Sequence, residues 1–142
     1  KIEGKNKVYF LNLENREIVK NFIIASEHIK TLYFYKKNIL IKEIAEKLHD
    51  HIFGIAVIFG SYAKRNQKED SDLDVFVVGK CDEKEIHGIS ETYGVEISTK
   101  VYPRNIFEKN IKRDILIKEV IEHHIIIKNA ELFIDSIIDE ED

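Results

Sequence analysis

The sequence predicts an α/β (α+β) domain in which a small mixed β-sheet carries flanking helices and is preceded by a β-hairpin and two helices. Three observations point there. Two apolar runs of strand length, residues 55–59 (Ile-Ala-Val-Ile-Phe) and 73–78 (Leu-Asp-Val-Phe-Val-Val), each lead into a glycine. Residues 95–101 alternate Val95, Ile97 and Thr99 with polar Glu96, Ser98 and Lys100, the period of a half-buried strand. Apolar residues at helical spacing fill the stretches around these strands. At 142 residues, the chain has room for one core of ordinary size.

In chain order, residues 1–11 read as a strand, a Gly/Asn turn and the β-favouring run Val8-Tyr-Phe-Leu11, a hairpin. From Glu14 to about Tyr35, the residues Ile18, Phe22, Ala25, Ile29 and Leu32 or Tyr33 recur at helical spacing, with Asn12 available as a cap. This is one long amphipathic helix, expected to pack on the domain C-terminal to it. Lys36-Lys37-Asn38 breaks it, and Ile41, Ile44, Ala45 and Leu48 define a second helix. The strand at 55–59 then delivers a Gly60-Ser61 turn and a polar stretch that runs to Ser71. Gly79-Lys80 turns the strand at 73–78, a short helix spans 82–93, and Gly94 precedes the third strand. Pro103 opens a helical region with segments at 107–111 and 115–121, the second capped by Asp114. A short Ile125-Ile-Ile127 run and a last amphipathic turn through Leu132, Phe133 and Ile137 close the chain. The three strands are expected to be neighbours with helices on one face. The organisation is a hairpin at 1–13, a helical region at 14–51 and the main domain at 52–142.

Composition narrows the function. With 44% apolar and 34% charged residues, the chain can bury a core and still cover it with solvated side chains, unlike a disordered tail or a fibrous repeat. No apolar run nears the ~18 uncharged residues that a spanning helix needs. The lone Cys81 cannot close an internal disulfide. The expectation is a soluble, cytoplasmic protein with no membrane role. There is no Met, so Lys1 can be an internal residue of a longer product. Residues 1–50 carry ten Lys/Arg against seven Asp/Glu, whereas residues 51–142 carry twelve against nineteen. So acidic a main domain is a poor non-specific nucleic-acid binder, and it suits divalent cations.

The chemistry concentrates between Gly60 and Val78. Gly60 lets the backbone approach a ligand closely, and Ser61 offers a hydroxyl and an N–H beside it, which together suit a phosphate. Asp72 and Asp74 are two residues apart, so on a strand both carboxylates project from one face. Two adjacent anions repel and are costly to desolvate, and a bound divalent cation compensates both. Hard oxygen ligands favour Mg²⁺ or Mn²⁺ over zinc. Lys64, Arg65 and Lys68 lie where a triphosphate could reach them, and they also suit an ordinary solvated loop. His123-His124 read as packing or dipole partners near a helix end. A phosphate cradle beside paired carboxylates is the minimum equipment for moving a nucleotidyl group.

At these residues the sequence resembles the DNA polymerase β-like nucleotidyltransferase superfamily, whose signature is Gly-Ser, about ten residues, then Asp-x-Asp. Here Gly60-Ser61 and Asp72-Leu-Asp74 are separated by the ten residues 62–71. The resemblance is nearest to the minimal prokaryotic nucleotidyltransferases and extends over roughly 52–133. It implies the nucleotidyltransferase fold, with Ser61 holding the terminal phosphates of a nucleoside triphosphate such as ATP and Gly60 permitting their approach. It also implies two Mg²⁺ or Mn²⁺ ions on Asp72 and Asp74, with Glu96 as the third carboxylate and base. Related enzymes more often carry Asp at that third position. The implied reaction transfers a nucleoside monophosphate, AMP for choice, to a hydroxyl; some minimal enzymes act on a HEPN-type partner protein as antitoxins of a toxin–antitoxin pair.

The N-terminal hairpin and long helix are similar to the wing and exit strand of winged-helix DNA-binding domains, without a recognition helix. An alternative of another class is a non-catalytic regulator that binds DNA through an incomplete winged helix and senses a nucleotide. The aromatic Tyr33, Phe34 and Tyr35, with Phe10 and Phe22, also leave room for a homodimer.

Overall fold

Two strands that are apolar at nearly every position set the centre of the molecule. In the computed structural model, which describes residues 2–3, 6–7 and 13–140, β3 (Ile52–Phe59) and β4 (Leu73–Cys81) pair antiparallel from Ile52 opposite Cys81 to Phe59 opposite Asp74. β5 (Ile97–Tyr102) adds parallel to β4, and β6 (Ile125–Lys128) adds antiparallel to β3. The sheet order is therefore β5-β4-β3-β6. A parallel neighbour requires a crossover, and α4 (Glu83–Tyr93) supplies it between β4 and β5. Asp82 caps that helix by accepting from the Glu85 N–H, and Gly94 ends it in the left-handed conformation.

The period of two sorts β3 and β4 into two buried faces. Ile55, Val57, Phe59, Phe76 and Val78 pack with Phe107 of α5 (Arg104–Asn110), Ile117 and Val120 of α6 (Ile115–Glu122), and Phe133 of α7 (Ala130–Glu140). Ile52, Ala56, Ile58, Leu73, Val75 and Val77 pack on the other side with Ile86 of α4, with Ile44 and Leu48 of α2 (Ile39–His49), and with Phe34 of α1 (Arg16–Lys37). Helices thus cover both faces, not the one expected. The expected short run at 125–127 is a fourth strand, which α1 caps from the side: the Thr31 hydroxyl donates to the Ile126 carbonyl at 3.0 Å. Lys128 Nζ ties the end of α2 to β3, donating to the carbonyls of His49 and Ile52.

Other boundaries move for local reasons. Gly79 and Lys80 do not turn the strand. Gly79 instead lies opposite Gly54 in mid-ladder, both with positive φ (+132° and +120°), and a Cβ on either would strike the backbone carbonyl of the facing strand. The pair lets β3 and β4 run three residues longer than the apolar runs suggest. The third strand begins at Ile97, leaving Val95 and Glu96 before it. A single 3₁₀ turn, Leu13–Asn15, precedes α1, and Asn38 ends it, with its backbone N–H and its Nδ2 both donating to the Phe34 carbonyl. N-terminal to it, β1 (Ile2–Glu3) and β2 (Asn6–Lys7) form a short antiparallel pair. The expected strand at 8–11 and the Asn12 cap lie outside the described residues.

α1 departs furthest from expectation. It buries Thr31 and Phe34 and half-buries Ile23, Ile24 and Glu27, whereas the predicted stripe is turned outward: Ile18, Phe22, Ile29, Leu32 and Tyr33 are between 52% and 73% exposed. No helix among the described residues is long and apolar enough to cross a membrane.

Candidate active site

β3 ends at Phe59, directly opposite Asp74, and the chain turns there into the short helix α3 (Gly60–Ala63). Gly60 has a φ of +67°, and a Cβ built on it would run into the Asp74 carboxylate, within 3.0 Å of its Cγ. Only glycine meets both demands, a left-handed backbone and the space the carboxylate fills. Ser61 follows, half-exposed, at the second position of α3. The N-cap is Phe59, so Ser61 is not the cap of this helix. Fold and motif are therefore joined by contact between the Gly-Ser turn and the second aspartate.

Asp74 projects from the same sheet face as Phe76, and the exposed Asp72 lies one residue before β4, near enough to act on the Asp74 carboxyl. Burial, the neighbouring Asp72 and then Glu119 of α6 push the Asp74 carboxyl above the usual carboxylate range, against the pull of Lys100 and Lys64. Lys64 is itself held by Glu119, with Nζ 2.6 Å from Oε1. Lys100 follows from the parallel register, since Ser98 lies beside Asp74 and Lys100 two residues beyond on the same face.

The predicted residues divide. Gly60, Ser61, Lys64, Asp72 and Asp74 gather at the carboxyl-terminal end of β3 and the start of β4. Arg65, with φ +59°, lines a cavity of about 520 Å³ with Tyr33, Lys37, Tyr62 and Gln67, whose lining includes neither aspartate. Glu96 is exposed, one residue before β5. Its carbonyl accepts from the Leu73 N–H at 2.8 Å, and the register of Leu73 with Ile97 sets it level with Asp72. Among the described residues, no three His, Cys, Asp or Glu side chains converge to hold a metal, so Asp72, Asp74 and Glu96 do not form a ready three-carboxylate site. The donor chemistry of the Asp pair still fits a divalent cation. Mg²⁺ is commonly held by one or two carboxylates together with substrate phosphates, and a cation would relieve the repulsion felt by Asp74.

Glu119 is the residue that sequence reasoning missed. On α6 it lies between Lys118 and Val120, and nothing in the local pattern separates it from the exposed Lys118 and Glu122. Its place beside Asp74 comes only from the packing of α6 on β3 and β4. His124, by contrast, is a packing residue as expected, buried with its ring centroid 5.0 Å from that of Phe133.

Comparison with known proteins bears on this geometry. No curated protein matches the chain significantly. A solved toxin–antitoxin structure with AMP-PNP aligns with 70% of this chain and 86% of its own, at 18% identity and a TM-score of 0.49. The model of the nucleotidyltransferase domain family matches residues 37–129, a span that holds the Gly-Ser turn, both aspartates, Glu96 and Glu119. By that match the chain belongs to the nucleotidyltransferase domain family and is a nucleotidyltransferase.

Proposed function

We propose that this chain transfers AMP from ATP to a hydroxyl acceptor, using Gly60, Ser61 and Lys64 to hold the phosphates and Asp72 and Asp74 to hold a divalent cation. The observation that carries the reading is the bare Cα of Gly60 against the Asp74 carboxylate, which sets the Gly-Ser turn and the carboxylate that would hold a cation in contact. The Ser61 hydroxyl donates to a terminal phosphate oxygen. Lys64, oriented by Glu119, adds a cation at the edge of the same turn. When bound, Mg²⁺ or Mn²⁺ supplies charge neutralisation on the phosphates. The acceptor oxygen attacks the α-phosphorus, the bond from that phosphorus to the bridging oxygen breaks, and pyrophosphate leaves with the electron pair. Glu96, exposed and level with Asp72, takes the acceptor proton. The acceptor belongs to a partner protein of HEPN type, as the resemblance of the Gly-Ser and Asp-x-Asp residues implies.

Incubating the protein with α-labelled ATP, Mg²⁺ and cell extract tests this. Label should pass to protein with the wild type, vanish with EDTA or Asp74→Asn, and fall about a hundredfold or more with Glu96→Gln, the usual loss of a positioned base. Transfer that survives Asp74→Asn overturns the reading. Failure to label any acceptor, from any nucleoside triphosphate, overturns it as well.

A further inference from the structure

A cavity of about 520 Å³ lies where the end of α1 meets α3 and the loop that follows it, walled by Tyr33, Lys37, Asn38, Tyr62, Arg65 and Gln67. That is the size of an ordinary small-molecule site. Phe34 also lines it, and Phe34 and Tyr62 belong to the apolar cluster of Ile58, Leu73 and Val75, so the cavity lies on the side of the sheet that α1 and α2 cover. Asp74 projects from the other face, with Phe76. The lining contains two cations and no Asp or Glu.

The fold makes little use of the side chains that meet there. Among the described residues, those of Tyr33, Lys37, Tyr62 and Arg65 make no hydrogen bond, ion pair or aromatic ring contact. The Gln67 amide is half-used: its Nε2 donates to Asn38 Oδ1 at 3.4 Å, and its covered Oε1 has no partner. Arg65 sits in the left-handed region, at the position where glycine usually ends a helix: its N–H donates to the Tyr62 carbonyl, and the Asn66 N–H donates to the Ser61 carbonyl. Local structure gains nothing from an arginine side chain at that position.

The chemistry of the lining selects a ligand. Two cations without an acidic partner attract an anion, and a phosphate monoester, with a charge of about −1.5 to −2 at neutral pH, balances both. A triphosphate carries more charge and travels with a divalent cation, for which this cavity offers no carboxylate. Tyrosine rings suit a flat aromatic group, since every nucleobase has a face that stacks on them. The Asn38 and Gln67 amides offer both donor and acceptor to the polar edge of such a base.

We propose that this cavity binds a nucleoside monophosphate, with its phosphate on Lys37 and Arg65, its base against Tyr33 and Tyr62, and an edge of that base paired with the Gln67 amide. The site is separate from the carboxylates on β4 and adjoins the Gly-Ser turn through α3, where Tyr62 follows Ser61 directly. A ligand that holds Tyr62 and Arg65 thus holds the helix that carries Ser61. Its binding requires neither a metal ion nor nucleotidyl transfer.

Titration calorimetry with AMP in EDTA tests the proposal, with urea unfolding to confirm that each variant is folded. The wild type should bind one AMP and saturate by about 1 mM. Arg65→Gly removes the cation and relaxes the backbone, so it should weaken AMP binding about tenfold or more while leaving stability equal or higher. Lys37→Ala and Tyr33→Ala, both at exposed side chains, should each weaken binding by about tenfold without unfolding the domain. Ribose 5-phosphate and inorganic phosphate, which lack the base, should each bind at least about tenfold more weakly than AMP. Asp74→Asn, on the other face, should leave AMP binding unchanged. A wild type that does not saturate overturns the proposal, as does binding indifferent to Lys37→Ala and Arg65→Gly. Loss of AMP binding with Asp74→Asn places the ligand at the carboxylates and overturns it too. Phosphate bound as tightly as AMP, or binding indifferent to Tyr33→Ala, overturns the place given to the base.

Discussion

Gly60→Ala offers the sharpest test of the link between the Gly-Ser turn and Asp74. The substitution adds one carbon at a φ of +67°, a conformation that costs an L-residue about 1 to 2 kcal/mol. That carbon also meets the Asp74 carboxylate, and a further ~1 to 3 kcal/mol is the usual range for forcing an extra methyl into filled space. The obstacle is the end of a side chain, so the carboxylate swings away and the domain still folds. The swing is what matters for activity. Displacement of a reacting group by about 1 Å can cost on the order of a hundredfold in rate. Urea unfolding of wild type, Gly60→Ala, Asp74→Ala and the double variant separates the two costs. The steric part should disappear when Asp74 is already Ala, giving a coupling of about 1 to 3 kcal/mol, whereas the backbone part remains. If Gly60→Ala costs the same in both backgrounds, or leaves nucleotidyl transfer unchanged, the close approach of the turn to Asp74 is refuted.

Two further perturbations concern the charges. Glu119→Gln removes one of the anions that push the Asp74 carboxyl upward, so NMR titration should find Asp74 ionising at lower pH; an unmoved titration refutes the coupling. Lys64 and Glu119 are each only partly covered, so the same change should shift stability by less than about 1 kcal/mol in urea unfolding. For Glu27, partial burial opposes ionisation, but His124 and Lys30 outweigh it and hold the carboxyl below the ordinary value of 4.5. The sign is that of a depressed acid: its contribution is present above that ordinary value and is lost as pH falls through the lower native one. Glu27→Gln should therefore flatten the fall in stability with acid, and an unchanged acid limb in unfolding measured against pH counts against the pairing.

Sequence periodicity alone determined what is local. The alternation of β4 puts Asp74 on the face of Phe76 whatever surrounds them, because successive side chains of a strand must point to opposite sides, and the two-residue spacing keeps Asp72 next to the start of that strand. The caps Asp82 and Asp114 and the C-terminal Gly94 mark their helix ends for equally local reasons, a side-chain oxygen meeting a bare N–H and a residue free to adopt positive φ. The continuous apolar run at 55–59 marks a buried strand, but the helices expected on one face cover both, and it is the packing of α1, α2 and α4 that closes the second. The rest belongs to tertiary structure. A helix with two apolar flanks has no internal mark that says which flank meets the core, so the stripe of α1 is legible while its outward direction is not. Packing decides it, because only the Thr31 and Phe34 side reaches β6 and the sheet. The same holds at the site. The Gly-Ser turn and the Asp pair are visible as a spacing, but the contact of Gly60 with Asp74 exists only because β3 and β4 pair in the register that sets Phe59 opposite Asp74. Glu119 arrives beside them on a helix remote in sequence, through contacts that no pattern of neighbouring residues encodes.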